Sequence, residues 1–81
     1  MSVKREKNMI VYVISHDTRC DGAGDLNGEI SRDKETLLQE IEEYTGYKRG
    51  ETDDVDGVDW IVEEDSFSSS EDVFEIYEKE V

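Results

Sequence analysis

The last 31 of the 81 residues hold thirteen carboxylic acids and a single cation, Lys79. Within them, residues 51–67 read ETDDVDGVDWIVEEDSF and set eight acids around one tryptophan. Like charges at this density repel, so the segment can join a core only where its few apolar side chains turn to one side and its acids to the other. Residues 1–50 carry ten acids and eight basic side chains, a net of −2, against −12 for residues 51–81. Nearly the whole formal charge of −14 is therefore confined to one segment.

A chain of this length supports one domain with a modest core. The hydrophobic fraction of 35% is low and the charged fraction of 40% is high, yet four Tyr, two Phe and one Trp supply core material, so a folded domain is expected. Cys20 is alone and has no internal disulfide partner. The apolar run MIVYVIS is too short to cross a bilayer and lacks the cleavage pattern of a signal peptide, which places the expected protein in the cytoplasm. Its acidity disfavours direct contact with anionic lipid or with nucleic acid.

Residues 1–8 read as a polar leader, with Met9 an alternative start, and residues 9–81 as the single domain. Residues 9–15 are rich in β-branched and aromatic side chains and predict a central strand covered on both faces. HDTRCDGAGDLNG, with three glycines and three aspartates, predicts a loop, with room for a short strand at 26–30. Ser31 stands as the N-cap of a helix over 32–45, in which Leu37, Leu38, Ile41, Tyr44 and Thr45 share one face and Gly46 ends the helix. A second loop leads to a strand at about 58–64, and SFSSS reads as a break that leaves Phe67 exposed.

The tail fits two elements. As a helix capped by Ser69 or Ser70, it places Val73, Phe74, Ile76, Tyr77 and Val81 opposite Glu71, Asp72, Glu75, Glu78 and Lys79. As a strand it would form a hairpin with 58–64 and leave acids on both faces. The cleaner division favours the helix. The expected fold is a small two-layer α+β domain in the order strand, helix, strand, helix, with one or two helices packed on a short sheet.

Patterns with chemistry in them are few. His16 and Cys20 resemble an imidazole and thiolate pair with Asp17 or Asp21 to orient the ring, but short motifs of this kind are more often plain polar loops. TDDVDGVDWIVE matches an EF-hand calcium loop at Asp54, Asp56, Gly57 and Glu63. It departs at Thr52 and Asp59, and its flanks are not helices. GAGDLNG lacks the lysine of a phosphate-binding loop. No catalytic residue, metal site or cofactor is assigned.

The acids themselves are the stronger signal. Alternate strand residues lie ~6.6 Å apart and duplex DNA presents a phosphate every ~3.4 Å of rise per strand, so an acidic ridge can approach a duplex in charge density. The expected partner-binding residues are Asp53, Asp54, Asp56, Asp59, Glu63, Glu64, Asp65, Glu71, Asp72, Glu75 and Glu78, with Phe67 as an aromatic anchor and Trp60 and Tyr77 in the core. In size, acidity and the aromatic content of its acidic half, the chain resembles the small acidic inhibitors of phages and mobile elements. These are the anti-CRISPR and anti-restriction proteins and the uracil-DNA glycosylase inhibitors. The resemblance implies a DNA mimic that is not an enzyme and fills the basic groove of a nuclease or its targeting complex. The alternative is an acidic adaptor for another basic protein. Salt adaptation would spread acids over the whole surface, against the near balance of residues 1–50. A monomer and a homodimer built on those residues both fit.

Overall fold

In the computed structural model, which describes residues 9–80, the apolar run forms β1, Ile10–Thr18, which ends three residues later than expected and includes His16. The leader over 1–8 and Val81 lie outside the described residues. β1 is followed by two-residue strands β2 (Gly22–Ala23) and β3 (Ile30–Ser31), helix α1 (Lys34–Thr45), β4 (Thr52–Asp53), β5 (Val58–Ile61), β6 (Ser66–Ser68) and β7 (Asp72–Glu80). All pairings are antiparallel, in the order β2-β1-β7-β6-β5-β4, with β3 on the same side of β1 as β2. The architecture is α+β, with α1 on one face of a seven-stranded sheet. Among the described residues no helix is long and apolar enough to cross a membrane.

The expected order strand, helix, strand, helix does not hold, because the tail is β7 and not a helix. A helix over 71–81 would stack Glu71, Glu75 and Glu78 at three- and four-residue spacing with Lys79 as the single cation on that side, and like charges so placed are destabilising. A strand sends successive residues to opposite faces. It also supplies β1 with a partner over nine residues, from Ile10↔Glu80 to Thr18↔Asp72. β7 does not form a hairpin with the 58–64 segment either, since β6 lies between them.

The expected strand at 58–64 stops at Ile61, where Val62–Glu64 tightens into a 3-10 turn and Asp65 takes a left-handed conformation, φ 51°. Asp tolerates that region better than most residues. The chain reverses there and SFSSS, expected as a break, provides β6. Ser66 and Ser68 face one way and Phe67 the other. Helix α1 starts two residues later than expected: Asp33, not Ser31, accepts the Glu35 amide as N-cap, while Ser31 ends β3 and its hydroxyl accepts from the Asp33 N–H. Gly46 closes the helix in the left-handed conformation, φ 81°, with its N–H on the Glu42 carbonyl.

The core lies between α1 and the sheet face that carries Ile14, Val58, Trp60, Phe67, Phe74 and Ile76, against Leu37, Leu38 and Ile41. A row of four rings crosses four strands in register: Trp60 beside Phe67, Phe67 beside Phe74, Phe74 beside His16. Centroids are 5.3, 5.7 and 3.9 Å apart, edge-on for the first two pairs and stacked for the last. Such pairs add about 0.5–1.5 kcal/mol each beyond area burial. Trp60 is in the core as expected. Phe67, expected at the surface, is only 2% exposed, and Tyr77, expected in the core, is 51% exposed on the opposite face. Among the described residues that second face carries no helix, so there β1 is covered by an element on one side only.

Candidate functional site

His16 is the buried polar centre of the molecule, 1% exposed and flanked by Phe74 and the edge of Tyr44. The loop between β2 and β3 folds over it. Its Nδ1 accepts the Leu26 N–H at 3.1 Å, so the proton of the neutral ring resides on Nε2, which donates to Asp72 Oδ1 at 2.9 Å. Both ring nitrogens are thereby occupied and neither is directed at Cys20, which is exposed. The pair of His16 with Cys20 that the sequence pattern resembles, with Asp17 or Asp21 to orient the ring, does not form. The partner of His16 comes instead from a residue 56 positions away.

Asp72, the partner of His16, lines a concave groove of about 440 Å³ between the C-terminal end of α1 and the turn joining β6 to β7. Tyr44, Thr45 and Tyr47 form one wall, Ser69, Ser70, Glu71 and Asp72 the other, with Val58 and Phe67 below and Asp56 at one end. The second wall is held firmly. The Ser69 hydroxyl accepts the N–H groups of Glu71 and Asp72, and the Ser70 N–H donates to the Asp56 carbonyl. The Arg19 N–H donates to the Glu71 carbonyl, and Arg19 Nε to the Ser69 carbonyl at 2.7 Å.

On the first wall the Tyr47 hydroxyl lies 2.8 Å from Asp56 Oδ2 and 3.3 Å from Asp53 Oδ2, one proton offered to two carboxylates. The hydrogen bond to Asp56, with desolvation and the two negative charges, pushes the Tyr47 phenol up to about 12. Desolvation, then the charges of Asp25 and Asp72, raises the Tyr44 phenol. The groove therefore joins aromatic rings, hydroxyls and three carboxylates and, among the described residues, has no cation in its lining. It is suited to a positively charged side chain, held by charge and by ring faces.

Four of the expected site residues meet here: Asp56, Glu71 and Asp72 on the lining, and Phe67 as buried floor rather than exposed anchor. Asp53, Asp54 and Asp59 line a second, shallower concavity around the β4–β5 turn. Glu63, Glu64 and Asp65 are at the far end of β5, where Asp65 is paired with Lys34 at 3.0 Å. That pairing, first through its hydrogen bond, raises the Lys34 ammonium above its ordinary value. Glu75 is on the sheet face without a helix and Glu78 on the other. The acids thus occupy two faces and both ends of the β5–β6 hairpin and do not form one ridge.

The stretch compared with a calcium loop folds as the β4–β5 hairpin, with Asp53 and Asp56 turned to Tyr47. Among the described residues no group of three or more His, Cys, Asp or Glu side chains converges to hold a metal ion. Sequence reasoning missed the groove's tyrosines and serines, because the wall is assembled from α1 and a turn more than twenty residues away. The one local sign was Tyr47 directly after the helix-ending Gly46. Comparison with protein-family models, with curated proteins and with solved structures found no match for the chain.

Proposed function

We propose that the chain is an acidic protein-binding inhibitor that occupies the basic, nucleic-acid-binding groove of a DNA-targeting protein. The observation that carries this reading is how its cations are used. Arg49 is held by Glu35 and Glu42, lowering both carboxyls, and Lys34 by Asp65. Asp54, Asp59, Glu63, Glu64, Glu71 and Glu75 are exposed and belong to none of the ion pairs among the described residues. A basic partner relieves that repulsion on contact and is steered toward it over a distance set by salt. The groove beside Glu71 receives a lysine or arginine of the partner.

A specific observation also favours the adaptor reading: acids divided over two faces do not reproduce the regular spacing of a duplex. The two readings separate in one experiment. The immobilised chain is used to capture partners from a lysate of its own host at low salt, and the captured protein is challenged with duplex DNA. A DNA mimic is displaced by the duplex, and its binding weakens steeply as salt rises. Asp54→Asn, Asp59→Asn, Glu63→Gln, Glu64→Gln and Glu71→Gln together abolish capture. Asp53 and Asp56 are left intact because they hold Tyr47. Capture by this variant at the original strength refutes the reading, and capture that duplex DNA does not displace leaves the adaptor.

A further inference from the structure

On the face of the sheet away from α1, one row of side chains is apolar across three strands. Ile30 pairs with Val13 and Val13 with Tyr77, so all three side chains stand on that face. Ile30 is 56% and Tyr77 51% exposed, while Val13 is buried between them. Val11 continues the apolar surface along β1, and Lys79 lies opposite it. Single exposed apolar residues are ordinary, but a contiguous row on a sheet face that no element among the described residues covers marks a contact surface.

We infer that this face binds a second copy of the same chain, sheet against sheet, about a twofold axis running along the Ile30–Val13–Tyr77 row. Two antiparallel sheets pack face to face about 10 Å apart with strands nearly aligned. An axis along the row, perpendicular to the strands, lays β7 antiparallel over β7 of the second copy. Each row residue then meets its own counterpart.

Charge selects this axis over others. Glu75 and Lys79 flank Tyr77 by two residues on either side and on the same face, so the axis brings Glu75 of each copy to Lys79 of the other. Lys79 is in none of the ion pairs among the described residues, and it is the lone cation of the last 31. An axis parallel to the strands would instead set Glu75 against Glu75. The remaining acids of the face, Asp17 and Asp59, lie in the row of Val73 and Ser68, at one end. The twofold carries their counterparts to the opposite end. A self-complementary patch of this kind is what an isologous dimer requires. The groove is on the other face, so assembly leaves it open and the inference stands apart from the proposed function.

Sedimentation of the full chain across micromolar to millimolar concentration tests this. The expected result is a reversible shift from 9.3 kDa to twice that mass. Tyr77→Ser and, separately, Lys79→Glu weaken dimerisation at least about tenfold, the scale of a lost central contact or a repulsive pair. Glu75→Lys combined with Lys79→Glu restores it to within about threefold, because the swapped charges still meet across the axis. Circular dichroism of Lys79→Glu verifies that this exposed change leaves the fold intact. A chain that stays monomeric throughout overturns the inference. So does a dimer that either single variant leaves unchanged, or one that the double variant does not restore.

Discussion

Gly24 lies flat against the His16 ring, and a Cβ built on it would sit 2.3 Å from Cε1 and 2.4 Å from Nδ1. The ring has nowhere to retreat, with Phe74 stacked on it, the Tyr44 edge beside it and both nitrogens bonded. The Gly24 N–H is itself donated to the His16 carbonyl. Gly24→Ala is therefore expected to destabilise the fold by about 1–3 kcal/mol, the range for overpacking, read as a lowered urea midpoint. An unchanged midpoint would mean that the loop does not cover His16. Tyr47 gives a second test at this scale. Its folded value is raised to about 12 against an ordinary 10, so the folded state holds the proton more tightly than the unfolded chain. The stability it adds is full below pH 10 and is lost as pH climbs from 10 to 12. Absorbance of the phenolate should show a component that titrates near 12, and Asp56→Asn should bring the midpoint of that component down toward 10.

Among the elements, β1 and α1 were legible because each carries a long local signal: a run of β-branched residues, and an apolar stripe closed by Gly46. β6 was not, since one phenylalanine between serines gives no period to read, and Phe67 becomes core only because β5 and β7 flank it. β7 misled for a related reason. Val73, Phe74, Ile76 and Tyr77 divide more cleanly from the acids at helical spacing than in strand alternation, and the choice was made by β1, a partner 54 or more residues away at every paired position. For the candidate site, the excess of carboxylates was plain from composition, but which of them share a surface depended on these misread elements. The pair of buried His16 with half-buried Asp72 joins residues 56 positions apart and has no local signature at all. Phe67→Ala separates the two views of β6. With Phe67 against Trp60, Phe74 and Tyr47, truncation should cost about 3–5 kcal/mol. Domains this small have little more than that in total, so the variant should be largely unfolded by Trp60 fluorescence and urea titration. An exposed phenylalanine in a loop would lose almost nothing.

For the whole molecule, the same charge has opposite effects on stability and on the proposed binding. At net −14 the folded chain is held together against its own field, and that field reaches about 30 Å at 0.01 M salt but about 8 Å at 0.15 M. Raising salt over this range should therefore increase the melting temperature, and each 1 kcal/mol of repulsion removed corresponds to about 4–8 °C for a domain of this size. Neutralising Asp54, Asp59, Glu63, Glu64 and Glu71 removes five charges that no cation in the described residues offsets. The variant should melt higher than the natural sequence at 0.01 M salt, with a flatter dependence on salt, while losing its captured partner. Acids that served solubility alone would show the first change without the second, since nothing would be bound to lose. Acids that served the fold, through pairs absent from the structure, would show a lower melting temperature instead. Only a surface kept unstable so that a basic partner can stabilise it moves the two measurements in opposite directions.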